Sequence, residues 1–380
     1  MTTSAGTPAW LASQNDRTAF RLLLEHGPLS RSQLGELSGA SKPTAGQMIA
    51  RLERAGLIGP VGQVSGARGP NATTYGVRTD SRTGVAVSIL DDRIEATLAD
   101  PTDADHPVVV LATAGADRSP AADVVRAVAA AADAAGVGRR SVSVVAVGVQ
   151  AAFDSATDRL SFTDTLPGWP ERGARTRIEQ ATGLSVVLEN DVNLATMAEA
   201  AATGLDDFAY LWLGTGLGAG LLVGGVVRRG ASGSAGEIGY LEVPRSATAL
   251  DPGANDFTDL LGGPAVTALL GGEDLASALS RLPERSDVLG ALADRIALVV
   301  EPLAAVADPA RIVLGGPTGL AGGDPLAGLV RDRLRGRREV GVQAARAGSQ
   351  PVLLGARRLL VTGIRERLED AIVASATKED

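Results

Sequence analysis

Apolar residues recur at helical spacing over the first part of the chain, then give way to alternating and continuous apolar runs. Over residues 14–26, Ala19, Phe20, Leu22, Leu23 and Leu24 mark a helix that Gly27-Pro28 ends. Ser30 followed by Gln33 is a capping-box signature for a short second helix through Leu34 and Leu37. Gly39-Ala40 turns the chain, and Ser41 caps a third helix with Pro43 in its first turn. Ala45, Met48, Ile49 and Leu52 share one face of that helix. Residues 58–77, with Gly62, Gly66, Gly69 and Pro70, then read as a hairpin. Helix, short helix, tight turn, longer helix and wing make a winged helix-turn-helix over residues 1–80. Its third helix would enter a major groove by its first turns.

Past residue 80 the pattern is α/β. Strands are expected at 84–90, 93–99, 108–112, 141–149, 184–188 and 311–314. Helices are expected at 121–135, 171–182, 264–270 and 286–307, with an Arg-rich helix last; 160–170 reads as loop. Strands alternating with helices imply layers with a ligand cleft at the strand ends.

The chemistry concentrates between Glu189 and Tyr240. Asn190, Asp191 and Asn193 place a carboxylate and two amides where a strand ends and a helix begins, a terminus that presents unpaired N–H groups. Glycines at 214, 216, 218 and 220 suit two tightly connected strands; they permit a sharp turn and close approach of a ligand to backbone N–H groups. Glu237 follows inside Gly-Glu-Ile-Gly, ahead of Tyr240.

This ordered set resembles the ROK family (repressor, open reading frame, kinase) of sugar kinases and sugar-responsive repressors. The resemblance covers the body and implies two lobes of the actin-like ATPase, ribonuclease H-like type, divided as 81–200 and 201–354, the first completed by a helix near 355–375. It also implies that Asp191 and Glu237 meet sugar hydroxyls, that the glycine turn holds a phosphate of ATP, and that Leu314-Gly315-Gly316 is an adenosine-side turn. Carboxylates and amides are the groups polyol hydroxyls require, so Asn190, Asp191 and Glu237 are the sugar-binding candidates. Asp191 alone would be explained as a helix cap, worth about 1 kcal/mol. Tyr240 is either a ligand contact or core, and Trp169 either stacks on a sugar or packs internally.

Three departures matter. Where ROK kinases carry Asp-x-Gly-Gly-Thr, this chain has Ser88, Ile89, Leu90, Asp91 and Asp92. Close backbone approach is lost, and carboxylates stand where phosphate oxygens would be, a repulsion of roughly 4 kcal/mol at 4 Å near a surface. ATP binding is therefore not expected, and neither a catalytic residue nor a cofactor is assigned. Tyr240 replaces the histidine of the family's zinc loop, and residues 246–259 hold no cysteine, so no metal is expected. Asp259 lies near the place of that loop's closing glutamate. Val147-Gly148-Val149-Gln150-Ala151 lacks the Pro-Gly common in relatives, which implies a different sugar-side loop.

Composition adds location and partner. The 380 residues contain no cysteine and only His26 and His106 as histidines, which removes disulfides and the usual zinc clusters. No basic-then-apolar leader opens the sequence, and the most apolar window, 211–227, holds six glycines, so buried strands in a cytoplasmic protein are expected. Net charge is −8, yet residues 1–80 carry eight basic against five acidic residues, leaving −11 for the body. A basic head on an acidic body fits a protein whose head alone meets duplex DNA. Ser41, Lys42, Thr44 and Gln47 are the groove candidates, Arg51 a backbone contact, and Arg68 a contact from the wing. A three-helix protein-interaction module uses the same pattern, but basicity and wing favour DNA.

The expected function is a DNA-binding transcriptional regulator of carbohydrate metabolism, most often a repressor in this family. It would answer to a sugar effector and, by the resemblance, act as a homodimer or dimer of dimers. The alternatives are a sugar kinase with a DNA-binding head and a DNA-binding dimer blind to sugar.

Overall fold

Thr7 accepts the Trp10 N–H on its side chain and starts α1 (Pro8–His26), earlier than apolar spacing alone places it. The computed structural model describes residues 7–64, 72–80, 82–90, 92–113, 118–163 and 166–376. After β1 (Leu29–Ser30), the predicted capping box opens α2 (Arg31–Ser38): Gln33 N–H donates to Ser30 Oγ, and Ser30 N–H to Gln33 Oε1 at 2.9 Å. Ser41 caps α3 (Lys42–Arg54), and β2 (Ile58–Val64) and β3 (Ala72–Val77) form the wing, in a sheet of order β1-β3-β2. Phe20, Leu34, Met48, Ile49 and Leu52 fill the small core between the three helices.

The body has two sheets on one plan. The first comprises β4 (Thr83–Ile89), β5 (Arg93–Ala99), β6 (Val109–Ala112), β7 (Val142–Val149) and β10 (Ser185–Asn190). Its order is β10-β7-β4-β5-β6, parallel across β10, β7 and β4 and antiparallel beyond. Between β6 and β7 lies α4 (Pro120–Ala134); β8 (Ala152–Asp154), β9 (Arg159–Ser161) and α5 (Ala174–Thr182) precede β10, and α6 (Asp191–Thr203) follows it. The second sheet comprises β11 (Phe208–Leu213), β12 (Leu217–Val223), β13 (Val226–Val227), β14 (Arg311–Gly315) and β15 (Gly341–Ala344). Its order, β13-β12-β11-β14-β15, repeats the antiparallel hairpin joined to parallel crossover strands. The helices α7 (Phe257–Leu261), α8 (Gly263–Leu270), α9 (Leu275–Leu279), α10 (Ser286–Ala307) and α11 (Gly316–Leu334) accompany it, and α12 (Pro351–Ala376) returns to the first sheet.

Side-chain size sorts the faces of the first sheet. Val85, Val87, Val145 and Val147 pack with α4 and α5. Gly84, Ala86, Ala146 and Gly148 face the other way, where small residues let helices lie close. A Cβ on Gly148 would come within 2.7 Å of both Leu194 of α6 and Val352 of α12, and one on Gly355 would overlap the Leu194 carbonyl. The same apolar cluster runs from α6 along α12, through Leu360, Leu368 and Ile372, to Ala19 and Phe20 of α1.

Two connections join the lobes, α6 and the segment into α12, and Glu199 clamps them together. Fully buried, it accepts the N–H groups of Arg346 and Ala347 at 2.8 and 2.9 Å. Sequence periodicity found most elements but not β1, β8, β9, β13, β15, α7, α9 or α11. Strands of three or four residues carry little period, and α11 kinks at Gly323 (φ 52°) beside Pro325, which reads as a loop. Among the described residues no helix is long and apolar enough to cross a membrane.

Candidate functional site

A cleft of about 380 Å³ opens between the sheets, where β10 ends and β11 turns into β12. Asn190 closes β10 and caps α6: its Oδ1 accepts the Asn193 N–H at 3.0 Å, and its Nδ2 donates to the Ala151 carbonyl at 3.2 Å. Asp191 is the first residue of α6, 7% exposed, with Oδ1 accepting the Val192 N–H at 2.8 Å. Burial, then the charge of Glu237, push its carboxyl up to about 7. Glu237 faces the cleft from the other side, and burial raises it to about 7 as well.

Three of the sequence-predicted sugar contacts thus line one space, and Tyr240 lines it with them. Tyr240 is no core residue: it is 46% exposed and packs on Phe162, ring centroids 4.5 Å apart. Phe162 holds a left-handed φ of 59°, which for a bulky residue costs on the order of 1 kcal/mol and marks a strained position beside the cleft. Asp259 is also on the wall, its carboxylate accepting the backbone and side-chain N–H groups of Asn255, which lower its pKa.

One expectation is corrected here, and one open alternative is decided. Asn193 turns inward, donating Nδ2 to Glu189 Oε1 at 3.0 Å, so its amide is spent on structure. Trp169 is buried, with Nε1 donating to Asp123 Oδ2 at 3.1 Å beside the buried Arg118–Asp123 pair. It braces the first lobe and stacks on nothing in the cleft.

The four spaced glycines also divide. Gly214 N–H donates to the Gly216 carbonyl, forming the tight turn. A Cβ on Gly214 would meet Trp212 Nε1, one on Gly218 Val192, and one on Gly220 would overlap Thr196 Oγ1; only at Gly216 is there open space. Three are therefore packing glycines. Gly315 and Gly316 similarly admit Tyr210 and the Leu213 backbone. Opposite the turn, Ser88 and Ile89 are buried in β4, and Asp92 lies exposed on the wall, paired at 3.1 Å with Arg93, which also holds Glu95 at 3.0 Å. Asp91 lies outside the described residues. Arg93 and Phe162 were not foreseen, because neither belongs to a local motif. Nor was Arg229, which reaches across the lobes to Glu189 at 2.6 Å.

In the head, Ser41, Lys42 and Gln47 are exposed at the start of α3 and Thr44 is half-buried; Ser41 Oγ sits 2.8 Å from Thr44 Oγ1. Arg51 departs from expectation. Its guanidinium forks around the buried Asp16 at 2.8 Å twice, tying α3 to α1, so it is committed inside the head. Arg68 lies outside the described residues. Arg17 and Arg21 face α12: Arg21 is bidentate on Glu369 at 2.8 and 2.6 Å, and Arg17 is 3.7 Å from Asp370. Three of the head's basic residues therefore pair with acids of this chain, Arg51 with one in the head and Arg17 and Arg21 with two on α12. Among the described residues no three His, Asp or Glu side chains gather as a metal site would require.

A winged-helix reader is thus fused to a two-lobed, actin-like body with carboxylates in its cleft. The model of the ROK family matches residues 116–362, and that of the MarR family matches residues 14–59. The chain belongs to the ROK family and carries a MarR-type winged-helix head. It is 34% identical to a glucokinase of Streptomyces coelicolor over 125 residues, covering 32% of this chain and 38% of the glucokinase. It is 23% identical to the xylose repressor of Bacillus subtilis over 241 residues, 60% of each chain. A glucokinase of Halalkalibacterium halodurans is 35% identical over 79 residues, 20% of this chain and 24% of the enzyme, so the chain spans less than two thirds of each of these relatives. Among solved structures, a ROK family transcriptional regulator, homologous to the E. coli MLC protein, superposes with TM-score 0.65 and 18% identity over 97% of this chain and 100% of the other. A ROK glucokinase of Streptomyces griseus, solved with glucose and AMPPNP, gives TM-score 0.59 and 25% identity over 73% and 98%.

Proposed function

We propose that the protein is a sugar-responsive, DNA-binding transcriptional regulator of the repressor type whose cleft binds a polyol without phosphorylating it. The observation that carries this reading is the path from cleft to head. Asp191 begins α6; α6 lies against α12 at Leu194 and Gly355; α12 carries Glu369, which holds Arg21 of α1. A ligand that prefers one lobe arrangement would shift α6 and α12 together, and so reset the head. In a homodimer or dimer of dimers, that reset changes the spacing of two recognition helices and with it affinity for an operator. Ser41, Lys42, Thr44 and Gln47 are the residues proposed to meet bases or phosphates.

Fluorescence anisotropy on duplex DNA from upstream of the protein's own gene, at low and moderate salt, tests the reading. Binding that a sugar weakens supports it; indifference to DNA at low salt overturns it.

A kinase with a DNA-binding head draws support from one feature: an aspartate titrating near neutrality suits a general base. Against it stand the glycine-free turn at Ser88–Leu90 and the Asp92–Arg93 pair opposite Gly214–Gly216. Phosphoryl transfer from ATP with magnesium to any of a panel of hexoses would decide for the kinase.

A further inference from the structure

We propose that β6 is an interface: it pairs antiparallel, about a two-fold axis at Val110, with β6 of a second copy of this chain. The inference stands independently of what the cleft binds. β6 is the outer strand of the first sheet and pairs with β5 on one side. Thr113 N–H donates inward to the Asp92 carbonyl, so by alternation Val110 and Ala112 turn their backbone groups outward. The Ala112 carbonyl agrees, accepting Arg126 Nη1 of α4 at 3.2 Å instead of a β5 donor. Side chains follow the same period: Val109 and Leu111 pack on the first-lobe core, whereas Val108 is 43% and Val110 59% exposed.

Proteins cover such an edge or blunt it with charge, proline or brevity. The other described edges are so treated. β13 has two residues, and Arg228 beside it donates to the Val223 carbonyl at 3.2 Å. β15 lies between Glu339 and Arg346 with Val342 and Ala344 buried, and β10 carries Glu189, tied to Arg229. β6 carries no charge and no proline, and from Pro107 to Thr113 no residue is charged.

A second β6 offers the same row of groups in reverse. About an axis at Val110, that residue exchanges both backbone bonds with its mate, and Ala112 does so with Val108 of the other copy. A carbonyl has two lone pairs, so Ala112 keeps its bond to Arg126. The two Val110 side chains then cover each other and leave water. Charge sets the direction. Asp103 and Asp105 precede the strand, Asp105 staying 99% exposed even while paired with Arg357, and Arg126 stands at its other end. Antiparallel pairing brings each acidic end toward the other copy's Arg126, whereas parallel stacking would set acids against acids. The pairing also closes, because it uses up the open edge of each copy and leaves none for a third. Since α12 packs on this sheet and holds the head through Glu369, the contact fixes two heads relative to each other.

Cross-linking of the full-length protein tests this cleanly, because the chain has no cysteine. The axis sets the two Val110 Cα atoms about 5.5 Å apart, within disulfide range. Under mild oxidation at micromolar concentration, Val110→Cys should form a disulfide-linked dimer about tenfold or more faster than Val306→Cys, a control at a position 90% exposed elsewhere. In sedimentation velocity, Val110→Pro should halve the mass of the species that wild type forms. Val110→Lys should do the same without removing a backbone donor, which covers the case of a proline variant that misfolds. Equal cross-linking rates overturn the inference, and so does a Val110→Lys protein whose mass matches wild type at every concentration. In either case any dimer forms through another surface, and the DNA and sugar readings stand.

Discussion

The two walls of the cleft have been treated differently. On the second-lobe wall the glycine turn at 214–216 persists, yet most of its glycines are fixed by neighbours: Trp212 fills the space beside Gly214, while Val192 and Thr196 press on Gly218 and Gly220. On the first-lobe wall the corresponding turn has no glycine, and an exposed, ion-paired Asp92 occupies it. Glycines that pack a sheet against a helix persist because the fold needs them. Glycines that serve only a ligand can be lost once the ligand is. Retention of the second turn is therefore weak support for nucleotide binding, and loss of the first is strong support against it.

That contrast can be broken most severely at Asp191. Asp191→Asn should weaken polyol binding by about a hundredfold by titration calorimetry, since a buried charge-assisted contact becomes a neutral one. If binding survives unchanged, the ligand sits elsewhere. The glycines offer the next sharpest discrimination. Gly220→Ala forces a Cβ into Thr196 and should cost about 1–3 kcal/mol in urea unfolding, whereas Gly216→Ala, in open space, should stay within about 0.5 kcal/mol. Equal effects would erase the distinction between packing and ligand glycines.

A third test uses pH. The folded Asp191 and Glu237 carboxyls sit near 7, above their unfolded values of 3.8 and 4.5. The folded state therefore binds more protons than the unfolded one through that window, and the stability these groups allow is fully present below about pH 4 and falls as pH rises to about 7. Asp191→Asn should accordingly raise the melting temperature of the free protein at pH 8 and flatten the profile between pH 4 and 7, read by differential scanning calorimetry. Last, Arg21→Ala should alter stability by no more than about 1 kcal/mol, because Arg21 itself is largely exposed. It should nonetheless blunt the effect of sugar on DNA affinity; an unchanged response would exclude α12 as the route.

Local chemistry was legible where the signal was short-ranged. The caps at Ser30 and Ser41, the helix over 286–307 and the Asn190–Asp191 terminus all rest on neighbours a few residues apart. What stayed hidden is non-local. Arg51 reads as a DNA contact until Asp16, 35 positions earlier, is found in its grasp. Trp169 reads as either a stacking platform or internal packing until Asp123 takes its N–H. Asp191 and Glu237 were found by motif, but Phe162, Arg93 and Arg229 act through partners that only folding supplies.

The α12 helix also orders events in time. About 39 Å long over its 26 residues, it provides the seat for a head made at the opposite end of synthesis: the residue that grips Arg21 lies 348 positions later. A nascent chain can form the three head helices early, but their docking surface arrives only after both sheets have been translated. Docking of the head is thereby tied to completion of the body, and an unfinished polypeptide lacks the platform that would hold its head in register.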